Sequence, residues 1–439
     1  MLNRFLFKHI DNSALIVFRI LFGFLIAAEG FGAIITGWVR ITMVEPQFTF
    51  NFIGLEFLQP LPGNWMYVYY FVMGAIGLLV MVGYKYRLSI IAYGIMWAAT
   101  YFMQKASYNN HYYLMVWLCG LMALLPANRY LSADVKLNPS LKTLSMPQWC
   151  SWILIIQMWI VYTYGSIAKI YPDWLDTSVM EIFMRNKQHY YLIGDFLQQK
   201  WLHYFLAYGG ILFDGLAVPL LLYKPTRRWA FYASIFFHMF NSIVFQVGVF
   251  PYMSLALCIF FFDPDYIRRL FLKKKPRFED TNKIETPSYS KAFVAFWVVY
   301  FLIHVGLPLR HWFFKDNVLW TEEGHRLSWR MMLRAKSGFV IFKAVNKNTG
   351  EETTISTRDY LSKKQRHLIT THPDVMWQFA QRIKKEFAEK GQDVAVYADS
   401  KISVNGRALQ PYIAKDIDLG SVKWNAFKHS DWILPSKLD

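Results

Sequence analysis

One lysine stands at the end of a long apolar run. Lys169 lies in GSIAKIYPDW, where the stretch from Trp152 to Ile170 is long enough to cross the hydrocarbon core of a bilayer. Because burial disfavours the charged form of an amine, a lysine held there could act as a base. The alternative is a lysine whose long side chain carries its ammonium to the lipid headgroups.

Further polar residues lie near the ends of other apolar runs. Asn109, Asn110 and His111 precede one run. His238 and Asn241 lie inside the aromatic stretch FHMFNS. Together with an amine and many aromatic rings, these imidazoles and amides suit a planar redox-active lipid with ionisable oxygens, such as a quinone or hydroquinone. The structural alternatives are a helix N-cap for Asn109 and hydrogen bonds between helices for His238 and Asn241.

The composition is that of a multi-pass membrane protein. Of 439 residues, 55% are hydrophobic and 18% aromatic, which is too apolar for an ordinary soluble enzyme of this length. The net charge of +17 comes from basic residues between apolar segments, which indicates anionic lipid rather than nucleic acid. The three cysteines, Cys119, Cys150 and Cys258, lie in or beside apolar segments, so we expect neither a disulfide framework nor a metal site.

Nine apolar runs predict about nine transmembrane helices. With the N-terminus in the cytoplasm, the inner segments carry 18 lysines and arginines and the outer loops carry 5, as the positive-inside rule requires. The first run is expected to be a retained span, because no small-residue cleavage site follows it. The runs lie near residues 14–37, 64–84, 88–103, 112–127, 151–170, 204–223, 229–246, 250–263 and 292–309.

The chain changes character after this helical membrane domain, residues 1–309. Residues 310–439 predict a small external domain that is mainly β. Residues 339–356 are typical of a hairpin that turns at Asn348-Thr349-Gly350, and residues 394–409 of strands that turn at Asn405-Gly406. Between them, a helix is predicted to begin at Pro373. The fold class is therefore an all-α multi-pass membrane bundle with a small C-terminal β domain.

With these segments in order, the chain resembles the vitamin K-dependent γ-glutamyl carboxylases and their bacterial relatives, which share the horizontally transferred transmembrane domain. The resemblance runs from about Asn12 to Lys347. It rests on the order and spacing of seven motifs, of which NNH and Lys-x-x-x-Asp-Trp are the most specific. The motifs are VFRILFGFL, QPLPGNWMYVYY, NNHYYL, ANRYLSAD, AKIYPDW, FHMFNS and LSWRMM.

The resemblance implies a reaction. In this family a base deprotonates vitamin K hydroquinone, which reacts with dioxygen to give an alkoxide on the way to the epoxide. The alkoxide takes a γ-proton from a peptide glutamate, and carbon dioxide adds to the carbanion. By position, Lys169 matches the initiating base, and Asn110 and His111 match the residues that hold and polarise the quinone oxygens. His238 and Phe250 match residues of the quinone pocket, to which we add Asn241.

For the peptide, the resemblance places Trp329 in the segment that receives the glutamate, and we assign Arg334 and His325 to the same substrate site. Arg334 stands where animal members carry a histidine, and Gln104 where they carry an acid. No cysteine outside the membrane could form the disulfide of the animal members. These departures leave the quinone half of the site better supported than the peptide half.

The sequence therefore predicts a carboxylase that uses vitamin K hydroquinone, of menaquinol or phylloquinol type, with dioxygen and carbon dioxide as co-substrates and no metal. The expected partners are the lipid bilayer and a protein glutamate, not nucleic acid. The expected location is a bacterial inner membrane, with the C-terminal domain in the periplasm, or in the lumen of the endoplasmic reticulum if the source is eukaryotic. Two alternatives stay open: a quinol epoxidase without efficient carboxylation, and a transporter or lipid-binding protein of the same fold.

Overall fold

The apolar part of the chain folds into helices, because a segment in lipid must satisfy its backbone hydrogen bonds internally. The computed structural model describes residues 2–279, 286–331 and 333–437. A short antiparallel pair, β1 (His9–Asp11) with β2 (Ser145–Pro147), joins two connecting segments. The helices up to residue 309 are α1 (Leu2–Phe7), α2 (Ser13–Ile35), α3 (Trp65–Val82), α4 (Tyr86–Met103), α5 (Asn110–Leu124), α6 (Ala133–Leu137), α7 (Trp149–Ile167), α8 (Pro172–Leu175), α9 (Ser178–Arg185), α10 (Gly194–Leu197), α11 (Lys200–Leu222), α12 (Arg227–Phe240), α13 (Phe250–Leu257), α14 (Pro264–Phe271) and α15 (Ser290–Leu309).

The expected count of nine spans is not confirmed. Among the described residues, five helices are long and apolar enough to cross a membrane: α2, α3, α7, α11 and α15, the last extended to Phe313. The other four predicted spans coincide with α4, α5, α12 and α13. The helix α5 has 15 residues, and α12 has 14 before a π-helical turn at Asn241–Phe245. The helix α13 has 8 residues before a 3₁₀ turn. The protein is thus a multi-pass helical membrane protein whose helices differ widely in length.

Small residues bring α2 and α3 close together. A Cβ added at Gly23 would lie 2.4 Å from the backbone nitrogen of Met81, and one at Gly77 would lie 2.7 Å from the Cα of Ala27. In an apolar environment, where helices gain little from excluding water, such close backbone approach is a main source of packing energy. The close contact fixes α2 and α3 against each other within the membrane bundle.

A buried arginine joins two of the motifs found in the sequence. Arg19 of α2 is fully buried, and its guanidinium donates hydrogen bonds to the carbonyl oxygens of Ala127, Tyr130 and Leu131. In the same loop, the carboxylate of Asp134 accepts from the backbone N–H groups at the start of α4. A structural contact therefore joins two of the motifs, VFRILFGFL and ANRYLSAD.

The C-terminal region contains the predicted sheet but also helices. Its four strands have the order β4–β3–β5–β6, and all neighbours are antiparallel. The turn at Gly350, the turn at Asn405 and Gly406, and the helix that begins at Pro373 are confirmed. The elements are α16 (Val318–Thr321), β3 (Lys336–Asn346), β4 (Glu352–Ile355), α17 (Thr357–Tyr360), α18 (Lys363–Ile369), α19 (Pro373–Glu389), β5 (Val394–Val404) and β6 (Gln410–Pro411).

Buried ion pairs fasten this region to the membrane helices. The ammonium of Lys105, just after α4, contacts the carboxylate of Asp374 in α19, and both side chains are almost fully buried. At a second place, Asp173 of α8 accepts hydrogen bonds from Arg407 and, at 2.7 Å, from Asn405 in the turn after β5. The sheet is thus held at fixed points over the ends of α4 and α7.

Candidate functional site

A largely aromatic cavity opens at the end of α7. Its volume is about 230 Å³, and it lies between the ends of α5 and α7 and the helices α9, α11 and α12. Phenylalanine and other apolar side chains form most of its wall. Apart from the indole of Trp174, the polar side chains of the wall are His111, Tyr162, Lys169, Asp214 and Asn241.

The amine of Lys169 is paired within this cavity. Lys169 lies two residues beyond α7, is 8% exposed, and donates a hydrogen bond to Oδ2 of Asp214 in α11. The carboxylate is 6% exposed, and the Lys169 ammonium also lies 5.7 Å from the ring centre of Trp174. The amine is directed to a buried acid rather than to the surface, which argues against the headgroup interpretation.

Small residues allow α7 and α11 to approach at this pair. A Cβ on Gly165 would lie 3.1 Å from Oδ2 of Asp214, and one on Gly215 would lie 3.1 Å from Oγ of Ser166. The Ser166 hydroxyl in turn donates to the carbonyl oxygen of Ile211 at 2.9 Å. The helix contact therefore fixes the position of the Asp214 carboxylate relative to the turn that carries Lys169.

Four of the predicted quinone-site residues meet at or behind the cavity. The ring of His111 stacks on Phe250 with 4.3 Å between ring centres. Asn241 lines the wall while its amide donates to the Phe237 carbonyl oxygen. His238 is fully buried behind the wall, 2.6 Å from the hydroxyl of Tyr162. Its Nδ1 has no hydrogen-bond partner in the described part of the chain.

Asn110, the fifth, is directed elsewhere. Its side-chain amide donates to the carbonyl oxygen of Arg330 at 2.8 Å, and its Oδ1 accepts from the hydroxyl of Tyr108 at 2.9 Å. It does not line the cavity. The neighbouring Asn109 caps α5, since its Oδ1 accepts from the backbone N–H of Tyr112 at 2.7 Å. Asn110 thus fastens the segment around Arg330 to the start of α5.

That segment has a strained backbone. Leu327 and Trp329 have φ of 59° and 56°, in the left-handed region that residues other than glycine rarely adopt. Trp329 is 1% exposed and packs 4.8 Å from the ring of Tyr113, so it does not face the cavity. Met331, two residues later, does line it. The predicted glutamate-receiving segment therefore borders the Lys169 cavity through Met331 rather than Trp329.

Arg334 and His325, the other two predicted substrate residues, belong to a buried ionic cluster. The guanidinium of Arg334 donates two hydrogen bonds to the Glu322 carboxylate and lies 3.2 Å from Nε2 of His325. Lys336 binds the same carboxylate at 3.0 Å. Although burial raises it, the Arg334 and Lys336 cations hold the pKa of Glu322 well below its usual value. Arg334 is thus already paired with an acid.

Asp214 and Tyr162 were missed by the sequence reasoning. Both lie inside long apolar helices. Asp214 is 45 residues from its partner Lys169, Tyr162 is 76 residues from its partner His238, and no spacing rule connects them. One signal was available for Asp214, because an acid within an apolar span is by default a candidate functional residue.

An apolar helical bundle with a buried amine–carboxylate pair, carrying a small docked sheet, defines a membrane protein with a binding cavity in its helical part. Residues 7–266 match the family model of the HTTM domain. Residues 289–439 match that of the vitamin K-dependent gamma-carboxylase, lumenal domain. The chain belongs to the vitamin K-dependent γ-glutamyl carboxylase family. No solved structure matches it significantly.

Proposed function

We propose that the protein is a vitamin K hydroquinone-dependent γ-glutamyl carboxylase that couples carboxylation to quinone epoxidation. The observation that carries this proposal is the Lys169–Asp214 pair in an aromatic cavity, bordered by Met331 of the glutamate-receiving segment. The same proposal includes a helical membrane domain at residues 1–309 and an external domain at residues 310–439. It also includes a bacterial inner membrane as the location.

The cavity fits a reduced quinone. Flat apolar rings favour aromatic walls, and the wall offers the stacked rings of His111 and Phe250 as well as a proton acceptor in the Lys169–Asp214 pair. When bound, a reduced quinone supplies, through its oxidation by dioxygen, the strong base that activates the glutamate γ-carbon for addition of carbon dioxide.

The side chains of the cavity have separate tasks in this proposal. Because Lys169 is paired with Asp214, the two act together as the base that accepts a hydroxyl proton, and the carboxylate positions the amine. His111, held against Phe250, orients the ring oxygens. The apolar wall excludes water, which would quench a strong base before it reached a carbon acid.

The substitution Lys169→Met tests the base. Methionine keeps much of the side-chain volume, so we expect quinol oxidation to fall by roughly 10²-fold or more while the protein still folds. Reduced-quinone consumption and epoxide formation are measured in detergent micelles, with folding followed by the thermal midpoint. The matched control is Lys200→Met, an exposed lysine at the start of α11, for which we expect the wild-type rate. A normal rate in Lys169→Met would remove the base from the mechanism.

One observation favours a second candidate, a quinol epoxidase without efficient carboxylation. The cation expected to grip the glutamate, Arg334, is bound by Glu322. Labelled bicarbonate offered with a glutamate peptide, beside detection of the quinone epoxide, separates the two functions. Label in the peptide supports the carboxylase, whereas epoxide without label supports the epoxidase.

A further inference from the structure

A second cavity lies on the other side of the turn that carries Lys169. Its volume is about 540 Å³, and it is bounded by the turn after α7, the end of α15 and the start of the C-terminal region. Ala168 and Ile170 line it, whereas Lys169 between them lines the first cavity. In the strained segment, Arg330 lines the second cavity and Met331 the first.

The guanidinium of Arg330 reaches this cavity without an acid partner. Its Nη1 lies 3.2 Å from Nε2 of His311, and its buried Nε has no hydrogen-bond partner among the residues that the structure describes. The other ring nitrogen of His311 is 2.8 Å from the carbonyl oxygen of Pro308, so it carries the proton and Nε2 accepts from Arg330. Within the described parts of the chain, no carboxylate lies within 4.0 Å of Arg330.

The acid in the cavity wall is already engaged. Asp316 accepts hydrogen bonds from the backbone N–H groups of Asn317 and Ser436 and from the Ser436 hydroxyl. In the nearby buried ionic cluster, Arg326 forms an ion pair with Asp374. Arg330 differs because burial lowers its pKa to about 10 and no carboxylate of the described residues pairs with it directly, although the charge of Glu322 opposes this shift from further away. A half-buried cation without a directly paired acid attracts an anion into the cavity that it lines.

We propose that Arg330, positioned by His311, binds the γ-carboxylate of the substrate glutamate in the second cavity. This assignment rests on the proposed function and replaces Arg334 as the cation that grips the peptide. A guanidinium binds a carboxylate through two parallel hydrogen bonds, which fixes the direction of the side chain as well as its charge. The glutamate then lies against Ala168 and Ile170 in the turn after α7, and Lys169, between these two residues, faces the quinone cavity.

The test uses two blocked tripeptides, alanine–glutamate–alanine and alanine–glutamine–alanine, with the whole chain in micelles. Direct binding is measured by calorimetry without quinone, so that the result does not depend on turnover. We expect the wild-type chain to bind the glutamate peptide at least about tenfold more tightly than the glutamine peptide. In Arg330→Gln this preference disappears, whereas Arg330→Lys keeps part of it because the charge remains.

The matched control is Lys315→Gln, which removes an exposed cation next to the cavity lining and is expected to keep the wild-type preference. A glutamate preference that survives in Arg330→Gln overturns the proposal, and so does a wild-type chain that binds both peptides equally. A thermal midpoint of Arg330→Gln equal to that of the wild type shows that the variant is folded. Absence of quinol oxidation in the wild type would refute the proposed function, but peptide binding would still decide the role of Arg330.

Discussion

At the scale of single residues, Asp214 changes what Lys169 can do. The Asp214 carboxylate lies beside the Lys169 amine in the same apolar cavity, so the two side chains form one hydrogen-bonded unit. The single base expected from the sequence therefore becomes a paired base. The same carboxylate also explains why Gly165 has no side chain, since a Cβ there would press on it at 3.1 Å.

The pair predicts non-additive kinetics. We expect Asp214→Asn to lower quinol oxidation by roughly 10²-fold or more, as Lys169→Met does, because each removes half of one base. The double variant is expected to be no slower than the slower single variant, since groups that act as a unit lose their effect together. Rates of quinol oxidation in the three variants provide the measurement. Losses that multiply in the double variant would show that the two residues act independently.

Residue types predicted the quinone site better than the peptide site. His111, Phe250 and Asn241 reach one cavity with Lys169, because each lies at the end or turn of an apolar helix on the same side. Trp329 could not be placed, since its burial depends on a left-handed backbone that no sequence pattern announces. The sequence also did not predict a role for Arg330, because the same backbone conformation directs it to the second cavity.

At the scale of helices, the contact between α2 and α3 depends on glycines at defined positions. Gly23 faces the backbone of α3, whereas Gly32 on the same helix has nothing within 4 Å of an added Cβ. One helix therefore carries both a glycine that packing requires and one that it does not.

This difference gives a prediction for two single substitutions. Gly23→Ala should destabilise the protein by roughly 1–3 kcal/mol, because the methyl group pushes the helices apart. Gly32→Ala should be neutral or stabilising by up to about 1 kcal/mol, since alanine favours the helix. Thermal midpoints in the same micelles compare the two. A loss of equal size in both variants would mean that helix propensity, not contact with α3, sets the result.

Helix and strand ends were predictable where turn chemistry marks them. Pro373 begins α19, and Asn405 with Gly406 turns the chain after β5. The count of nine spans is not confirmed, because hydrophobicity alone does not report the length of a helix. The apolar run around Asn241 is broken by a π-helical turn, and the one after Phe250 ends in a 3₁₀ turn after 8 helical residues.

At the scale of the whole molecule, buried ionic groups fasten the C-terminal region to the membrane helices. His372 lies among them, 3.9 Å from Glu322 and close to the cations Arg326, Arg334 and Lys336. Burial lowers the pKa of His372 from 6.5 to about 3, against the opposing effect of Glu322. The folded protein therefore keeps this imidazole neutral at a pH where the unfolded chain protonates it.

Acid should consequently weaken the fold as the pH falls below 6.5. Between pH 6.5 and 3 the unfolded chain binds a proton at His372 that the folded protein excludes, so stability falls by about 1.4 kcal/mol per pH unit. We expect His372→Gln to reduce the loss of thermal midpoint between pH 7 and pH 5. The exposed His367 in α18 gives the control His367→Gln, which should lose as much as the wild type. Equal losses in all three proteins would contradict this role.

The segment that carries Arg330 and Met331 has one further consequence. Arg330 lines the second cavity and its neighbour Met331 the first, so one thickness of polypeptide forms the partition between the two cavities. Hydrogen bonds with Tyr108 and Asn110 hold this segment in its strained conformation. In the proposed reaction, such a partition would admit the quinone and the peptide by separate routes that meet at its edge, where the base must contact the γ-carbon. Substitution of Asn110 would then lower activity as a catalytic substitution does, although its side chain lines neither cavity. The reason is that the loss of its hydrogen bond to the segment would let the partition move.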